Sequence, residues 1–484
     1  MLGNWYSSNK NFINKLIVFL LLSAIFYCLS YLSVSSFGPT AVPVHHDDYS
    51  NYSLRIEDYS FGVRPLSTFI IAALSSISPQ ALIWSVRFLT VLYLYLSFFL
   101  FRSVVRNSGN WAIASVFAFA VFSSPVMVEY ARYTGMITHL ISGCLGISAV
   151  LALHQAFIRN DVRSALFSCI LISASVFSKE DFLLLYFISY IYFSIVIGAG
   201  FRVRCVGVLS MLSSGVLIIV FKFFTATAFL GVTDVASTYY VNISPISIAR
   251  TIVKYLGGGE NPVFVPEGYV FTCLFFFSLI FGIFAAFKRN LRPLYFIGCA
   301  LAVMAPYAIL PNHINPYYVY LWTPFICFAT LESLALAATY FSSGRLSDGS
   351  SRVLAIGVLL VISAILLLLN YPGRLAVANW YDRIATNNIK VFSLLRDNTI
   401  IGASSDVVCV IGADAFSPWY MHSSLYIDRV LGLSRNWVVV VPKQSALMSG
   451  FEIGALVSQG RFSLSTDKEP SNCTKTIHLE KNEQ

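Results

Sequence analysis

Long apolar runs separated by short polar turns dominate the chain. The first occupies 16–37, behind a short polar start that carries Lys10 and Lys15. Others follow at 81–101, 111–128, 136–157, 165–177, 182–199, 206–230, 269–287, 294–310, 317–341 and 353–371. At about 1.5 Å per residue, most of these suffice to cross a hydrocarbon core roughly 30 Å thick. The pattern predicts a polytopic α-helical membrane protein with about eleven transmembrane helices. Because further spans follow the first run, it reads as an uncleaved helix and not as a secretory leader. The run at 165–177 is the shortest, and Ser178-Lys179-Glu180-Asp181 behind it predicts a tight hairpin tip. If that hairpin did not cross, both of its ends would stay on one side and the later topology would be unchanged. In the long polar loop 38–80, the stretch 69–74 is apolar but too short to cross, and predicts a helix lying in the membrane interface.

After Pro372 the continuous apolar character gives way to a mixed pattern. Residues 406–411 and 437–441 read as buried strands, with helices expected near 384–395 and 419–431. Two domains follow: a transmembrane domain at 1–371, with large outer loops at 38–80 and 231–268, and a small C-terminal α/β domain at 372–484.

Composition agrees with this reading. Only 11% of the 484 residues are charged and 57% are hydrophobic. Soluble domains carry roughly 25% charged residues, so long stretches here have no water to face. The net charge of +9 comes from Lys and Arg placed mainly in short turns. Assigning alternate turns to one side collects Arg102, Arg106, Arg159, Arg163, Arg202, Arg204, Lys288, Arg289, Arg292, Arg345 and Arg352 together. By the positive-inside rule that side and the N-terminus are cytoplasmic, and an odd number of spans leaves the C-terminal domain outside. The positive charge therefore says little about nucleic acid, and none is expected as a partner. Seven of the nine cysteines lie within or beside apolar runs; Cys409 and Cys473 lie in the polar tail and could pair in an oxidising compartment.

The candidate chemistry gathers in the outer loops. His45-His46-Asp47-Asp48 stands just after the first apolar run, with Arg64 later in the same loop. Arg132 and Tyr133, then Lys179 and Glu180, then His313 and Tyr317, mark three further outer positions. Carboxylates facing cations and an imidazole suit group transfer from a lipid phosphate. A carboxylate takes a proton from the acceptor hydroxyl, and Arg, Lys or His neutralises the departing phosphate. Asp47 and Asp48 are adjacent, so they diverge in any regular backbone and one alone is expected to work; helix capping or a solvated turn is the bland alternative. His45 and His46 beside them could hold a divalent metal. His313 could equally be a hydrogen-bonded turn residue, and Lys179, Glu180 and Asp181 could be solvated at a hairpin tip. Arg87, inside an apolar run, is expected to snorkel. No nucleotide-binding loop, GxSxG elbow or HExxH helix occurs, so no nucleotide is expected.

The order of these parts resembles the GT-C superfamily of polyprenyl-phosphate-sugar-dependent glycosyltransferases. The resemblance rests on His46-Asp47-Asp48-Tyr49 with Val63-Arg64-Pro65-Leu66, on Tyr130-Ala131-Arg132-Tyr133, on Ser178-Lys179-Glu180-Asp181, on Asn312-His313 with Tyr317-Tyr318, and on the outer C-terminal domain. Size and layout look most like the serotype-converting O-antigen glucosyltransferases of bacteria and their temperate phages. The resemblance implies a multi-pass protein of the bacterial inner membrane with a periplasmic C-terminal domain. Its donor would be an undecaprenyl-phosphate sugar, glucose by the resemblance, made by another glycosyltransferase and delivered by a flippase. Its acceptor would be an O-antigen repeat, and transfer would invert the anomeric carbon. Asp48 or Asp47 would be the base, Arg132, Lys179 and His313 would lie near the donor phosphate, and Arg64, Tyr133, Glu180 and Tyr317 would complete the substrate site. An isolated Asp-X-Asp is absent, which leaves metal dependence open. An O-antigen polymerase or ligase, or a non-enzymatic translocator of lipid-linked sugars, is the alternative.

Overall fold

The computed structural model describes residues 20, 23–24, 51–52, 54–58, 64–105, 133–225, 240–256, 265–313, 318–341, 348–399, 407–411, 436–440, 462–465 and 473–478. The expected span at 111–128 and the expected helix at 419–431 lie outside these residues, as do all of the expected span at 16–37 except 20 and 23–24, and His45, His46, Asp47, Asp48, Arg132 and Tyr317. The described helices are α1 (Pro65–Ile77), α2 (Pro79–Val105), α3 (Ile137–Arg159), α4 (Val162–Ser178), α5 (Leu183–Val196) and α6 (Phe201–Thr225). After them come α7 (Pro245–Leu256), α8 (Val265–Phe287), α9 (Arg292–Ala308), α10 (Val319–Phe341) and α11 (Asp348–Thr399).

Among the described residues, four stretches are long and apolar enough to cross a membrane: Pro79–Val105, Thr134–Arg159, Phe201–Val220 and Val319–Phe341. Pro65–Ile77, Val162–Ser178 and Thr272–Phe287 are apolar but shorter. The chain is thus a mostly helical, multi-span protein. Its outer surface follows the logic of a lipid solvent. On α6, Leu209, Leu212, Val216 and Ile219 are exposed while Ser210 and Ser214 are buried, the reverse of a water-facing helix. Small residues inside let neighbouring backbones approach closely.

Local chemistry sets the hairpin of α3 and α4. Asn160 caps α3 in the left-handed region at φ 52°, which its short side chain tolerates. Asp161 then caps α4, accepting from the backbone N–H groups of Arg163 and Ser164 at 3.0 and 3.2 Å. The Asn160 side-chain oxygen also accepts from Gly200 N–H at 2.8 Å, tying this turn to the one before α6.

At the opposite end of the same hairpin, α4 stops at Ser178 and a single 3-10 turn, Glu180–Phe182, leads into α5. Two glycines seat that turn. A Cβ on Gly146 would fall 2.5 Å from the Phe182 Cβ, and one on Gly143 would fall 2.8 Å from the Tyr93 ring. Only a bare helix face at both positions lets the turn sink onto α3. A run of hydroxyls sews it down: Ser142 Oγ donates to Lys179 O at 2.6 Å, Ser175 Oγ to Ser142 O at 2.8 Å, and Ser67 Oγ to Ser178 O at 3.1 Å.

The start of α3, the end of α4, the start of α5, the end of α9 and the start of α10 consequently meet at one end of the bundle. Exposed Arg102, Arg159, Arg163, Arg202, Arg204, Lys288 and Arg289 stand at the other ends of these helices or in the turns joining them. Arg87, expected to snorkel, does not. It is 1% exposed in α2, with its guanidinium 4.8 Å from the centroid of the Trp84 ring, so a cation–π contact substitutes for water at the headgroups.

The C-terminal part differs from expectation in one element. No separate helix spans 384–395, because α11 runs unbroken for 52 residues through Pro372 to Thr399. The expected strands appear as β1 (Val407–Ile411) and β2 (Asn436–Val440), joined by β3 (Phe462–Ser465) and β4 (Lys475–His478). All four are parallel, in the order β3-β2-β1-β4. Cys409 on β1 and Cys473 before β4 form a disulfide, their Cα atoms 5.6 Å apart.

Candidate functional site

Five buried side chains converge where α3, α4, α5, α9 and α10 meet. They are His139, in the first turn of α3; Lys179 and Asp181, at the tip between α4 and α5; Tyr307, at the end of α9; and Tyr318, before α10. Lys179 is 7% exposed and Asp181 1%, so these two are not the solvated tip residues that the sequence also allowed. The bare face at Gly143 and Gly146 is the cause, since it takes the turn below the rim.

Lys179 Nζ lies 2.7 Å from His139 Nε2 and 3.9 Å from Asp181 Oδ2. His139 Nδ1 lies 2.7 Å from the same carboxylate oxygen. Tyr307 donates its hydroxyl to that oxygen at 2.6 Å, and the Tyr307 oxygen is 2.8 Å from His139 Nδ1. The inventory of donors assigns the protons. An ammonium only donates, so Nε2 must be the bare ring nitrogen; the remaining N–H is then on Nδ1, pointing at an oxygen that only accepts. A neutral imidazole thus bridges an ammonium and a carboxylate. Burial pushes the Asp181 carboxyl up, but the Lys179 charge, His139 and the Tyr307 hydroxyl outweigh it and hold the group well below the usual carboxylate range. The Lys179 ammonium also sits 5.7 Å from the ring centroids of both Tyr307 and Tyr318.

The network reaches further. The Tyr307 and Tyr318 rings are 4.0 Å apart, and the Tyr318 hydroxyl lies 3.1 Å from His313 Nε2. Tyr255 at the end of α7 donates to His313 O at 3.0 Å, fixing the short loop that carries the histidine. Lys179 and His313, picked out separately in the sequence, are therefore linked through two tyrosines.

Arg64 stands at the N-cap of α1, with a buried Nε that meets no hydrogen-bond acceptor among the described residues. Its charge is within electrostatic reach of His139. Glu180 is half-buried at the tip, and Tyr133 is buried just before α3. Asn51, three residues after Asp48, donates to Thr134 Oγ1 at 3.2 Å, so the first loop returns to the start of α3. Among the described residues no group of three or more His, Cys, Asp or Glu side chains could hold a metal ion. Sequence reasoning passed over His139 and Tyr307. The signal available was an ionisable residue within an apolar run, which is costly unless it faces a partner.

Chemically, the arrangement presents one cation locked in position, a second whose Nε meets no acceptor among the described residues, and a carboxylate held well below the usual range. Such a cluster stabilises negative charge in a low-dielectric setting. No family model matches the chain, and no curated protein matches it.

Proposed function

We propose that this chain is an integral-membrane glycosyltransferase that moves a sugar, glucose by the resemblance, from undecaprenyl phosphate onto an O-antigen repeat. The observation that carries the reading is Lys179, buried and oriented by His139 and Asp181 where α4 ends and α5 begins, with the Arg64 charge in electrostatic reach of His139. A phosphate leaving a sugar needs fixed positive charge that does not have to reorganise during reaction. In the proposed step the acceptor oxygen bonds to the anomeric carbon from the face opposite the phosphate. The carbon–oxygen bond to the phosphate breaks, its electron pair goes to undecaprenyl phosphate, and the acceptor proton passes to a carboxylate. Asp181 is engaged by Lys179, His139 and Tyr307; by the resemblance, Asp48 or Asp47 would be the base.

The same reading carries about eleven spans in a GT-C-like arrangement, an N-terminus in the cytoplasm and a periplasmic C-terminal α/β domain. Its support is the placement of exposed Arg and Lys at the end opposite the site, together with the Cys409–Cys473 disulfide, which belongs in an oxidising compartment. A flippase and a donor-making glycosyltransferase are the implied functional partners.

One observation favours the translocator reading instead. Glu332 is buried well inside α10, where an ionisable residue marks an ion or substrate path. Membranes containing the protein, given undecaprenyl-phosphate glucose and O-antigen, decide between them. Transfer should fall about 10²-fold or more in Lys179→Ala and in Asp48→Asn or Asp47→Asn, while Glu332→Gln should keep it. Hexose transfer unaltered by all three site substitutions at matched protein levels would sink the enzymatic reading.

A further inference from the structure

A groove of about 560 Å³ runs between α1 and α4, outside the buried cluster. Leu66 and Phe69 on α1 and Ile170, Ala174 and Phe177 on α4 make its walls, and the lining is almost wholly apolar. Its polar end is defined on both helices. On α1 the first lining residue, Pro65, directly follows Arg64; on α4 the last, Phe177, is separated only by Ser178 from Lys179. The Ser67–Ser178 bond closes the two helices against each other at that end. From Cys169 to Phe177 the groove follows α4 for about two turns, roughly 12 Å at 1.5 Å per residue.

An apolar trough whose end wall at Pro65 directly follows Arg64, a cation with a buried Nε that lacks an acceptor among the described residues, fits an amphiphile with one anionic head. We infer that this groove seats the phosphate-proximal part of the donor's isoprenoid chain, with Arg64 taking the phosphate. The inference rests on the lipid-phosphate donor proposed above and adds where that lipid lies. The groove is far shorter than an undecaprenyl chain, so it reads only the first few isoprene units and leaves the rest in the bilayer. Charge complementarity separates this occupant from a zwitterionic acyl lipid, for which the Arg64 cation beside the groove's end has no special use.

The test uses the full-length protein in phosphatidylethanolamine and phosphatidylglycerol nanodiscs, with a sugar-free polyprenyl phosphate bearing a diazirine near its head. Crosslinks should map to α1 and α4. They should be competed by undecaprenyl phosphate but not by undecaprenol, and should be lost in Ala174→Trp, which fills the trough. Ile170→Trp is the second filling variant if the first does not fold, and Ile195→Trp, on the exposed face of α5, should label normally. Arg64→Gln should weaken competition by undecaprenyl phosphate about 10- to 100-fold, the loss expected for one charge-assisted hydrogen bond. Crosslinks that map elsewhere, or that undecaprenol or bulk phospholipid competes equally, would overturn the site and leave an annular lipid. The two proposals fail separately. Labelling in the groove with no sugar transfer by the wild type removes the glycosyltransferase and keeps the lipid-phosphate site. Transfer with an unchanged donor KM in both Ala174→Trp and Arg64→Gln removes the groove and keeps the enzyme.

Discussion

At the residue scale, the Asp181 carboxylate is the group on which the cluster closes, because His139, Lys179 and Tyr307 all meet the same oxygen. Asp181→Asn keeps the shape but removes the charge facing a buried ammonium, and should cost about 3–5 kcal/mol, read as a lower Tm in detergent. Tyr307→Phe removes one donor to a charged acceptor and should cost about 1.5–3 kcal/mol in the same assay. The pH dependence has a definite sign. With its folded pKa depressed, Asp181 contributes stability that is fully present above the unfolded carboxyl value of about 3.9 and is lost as pH falls through the lower folded value. The Tm gap between wild type and Asp181→Asn should therefore stay level from about pH 5 to 8 and narrow only in stronger acid. A gap that narrows near pH 6 would show another group titrating in the cluster. Lys179 and His313 were legible as candidates because both stand in polar outer stretches. His139 and Tyr307 were not, since apolar neighbours on both sides give them the look of packing residues. The depth of Asp181 was hidden as well, because it is set by glycines more than thirty residues earlier.

The element scale shows why those glycines matter. A methyl on Gly146 would collide with the Phe182 side chain at 2.5 Å, so Gly146→Ala must lift the turn that carries Lys179 and Asp181. Overpacking of this kind costs about 1–3 kcal/mol and should lower transfer along with Tm. Gly215→Ala on α6 meets nothing within 4 Å and should be neutral or stabilising by up to about 1 kcal/mol, with transfer unchanged. Helices were the most legible elements, since continuous hydropathy fixes their existence and capping residues such as Asn160-Asp161 fix their ends. The run through Pro372 was not legible. Loss of apolar character and a proline together suggest a stop, yet a proline removes one backbone bond and leaves the rest of a long ladder intact. Leu375, Ala376 and Ala378 beyond it are good helix formers, and α11 continues.

For the whole molecule, the sequence separated an apolar part from a mixed tail, and the tail's parallel sheet could be only partly read. β1 and β2 are valine-rich and stood out, whereas β3 and β4 are four residues each and carry polar side chains that mask them. Pairing of Cys409 with Cys473 was open in the sequence, because only the parallel neighbours β1 and β4 bring residues 64 apart within reach. Cys473→Ser should cost the C-terminal domain about 2–4 kcal/mol and make it sensitive to protease, and a reductant should have no further effect on the variant. The length of α11 has a mechanical consequence. Fifty-two residues at 1.5 Å make a rod of about 78 Å, more than twice a hydrocarbon core of roughly 30 Å. Such a rod works as a ruler and a crank at once. Each residue added or removed after Pro372 changes its reach by about 1.5 Å and swings its tip by about 100°, so spacing and bearing cannot be tuned independently.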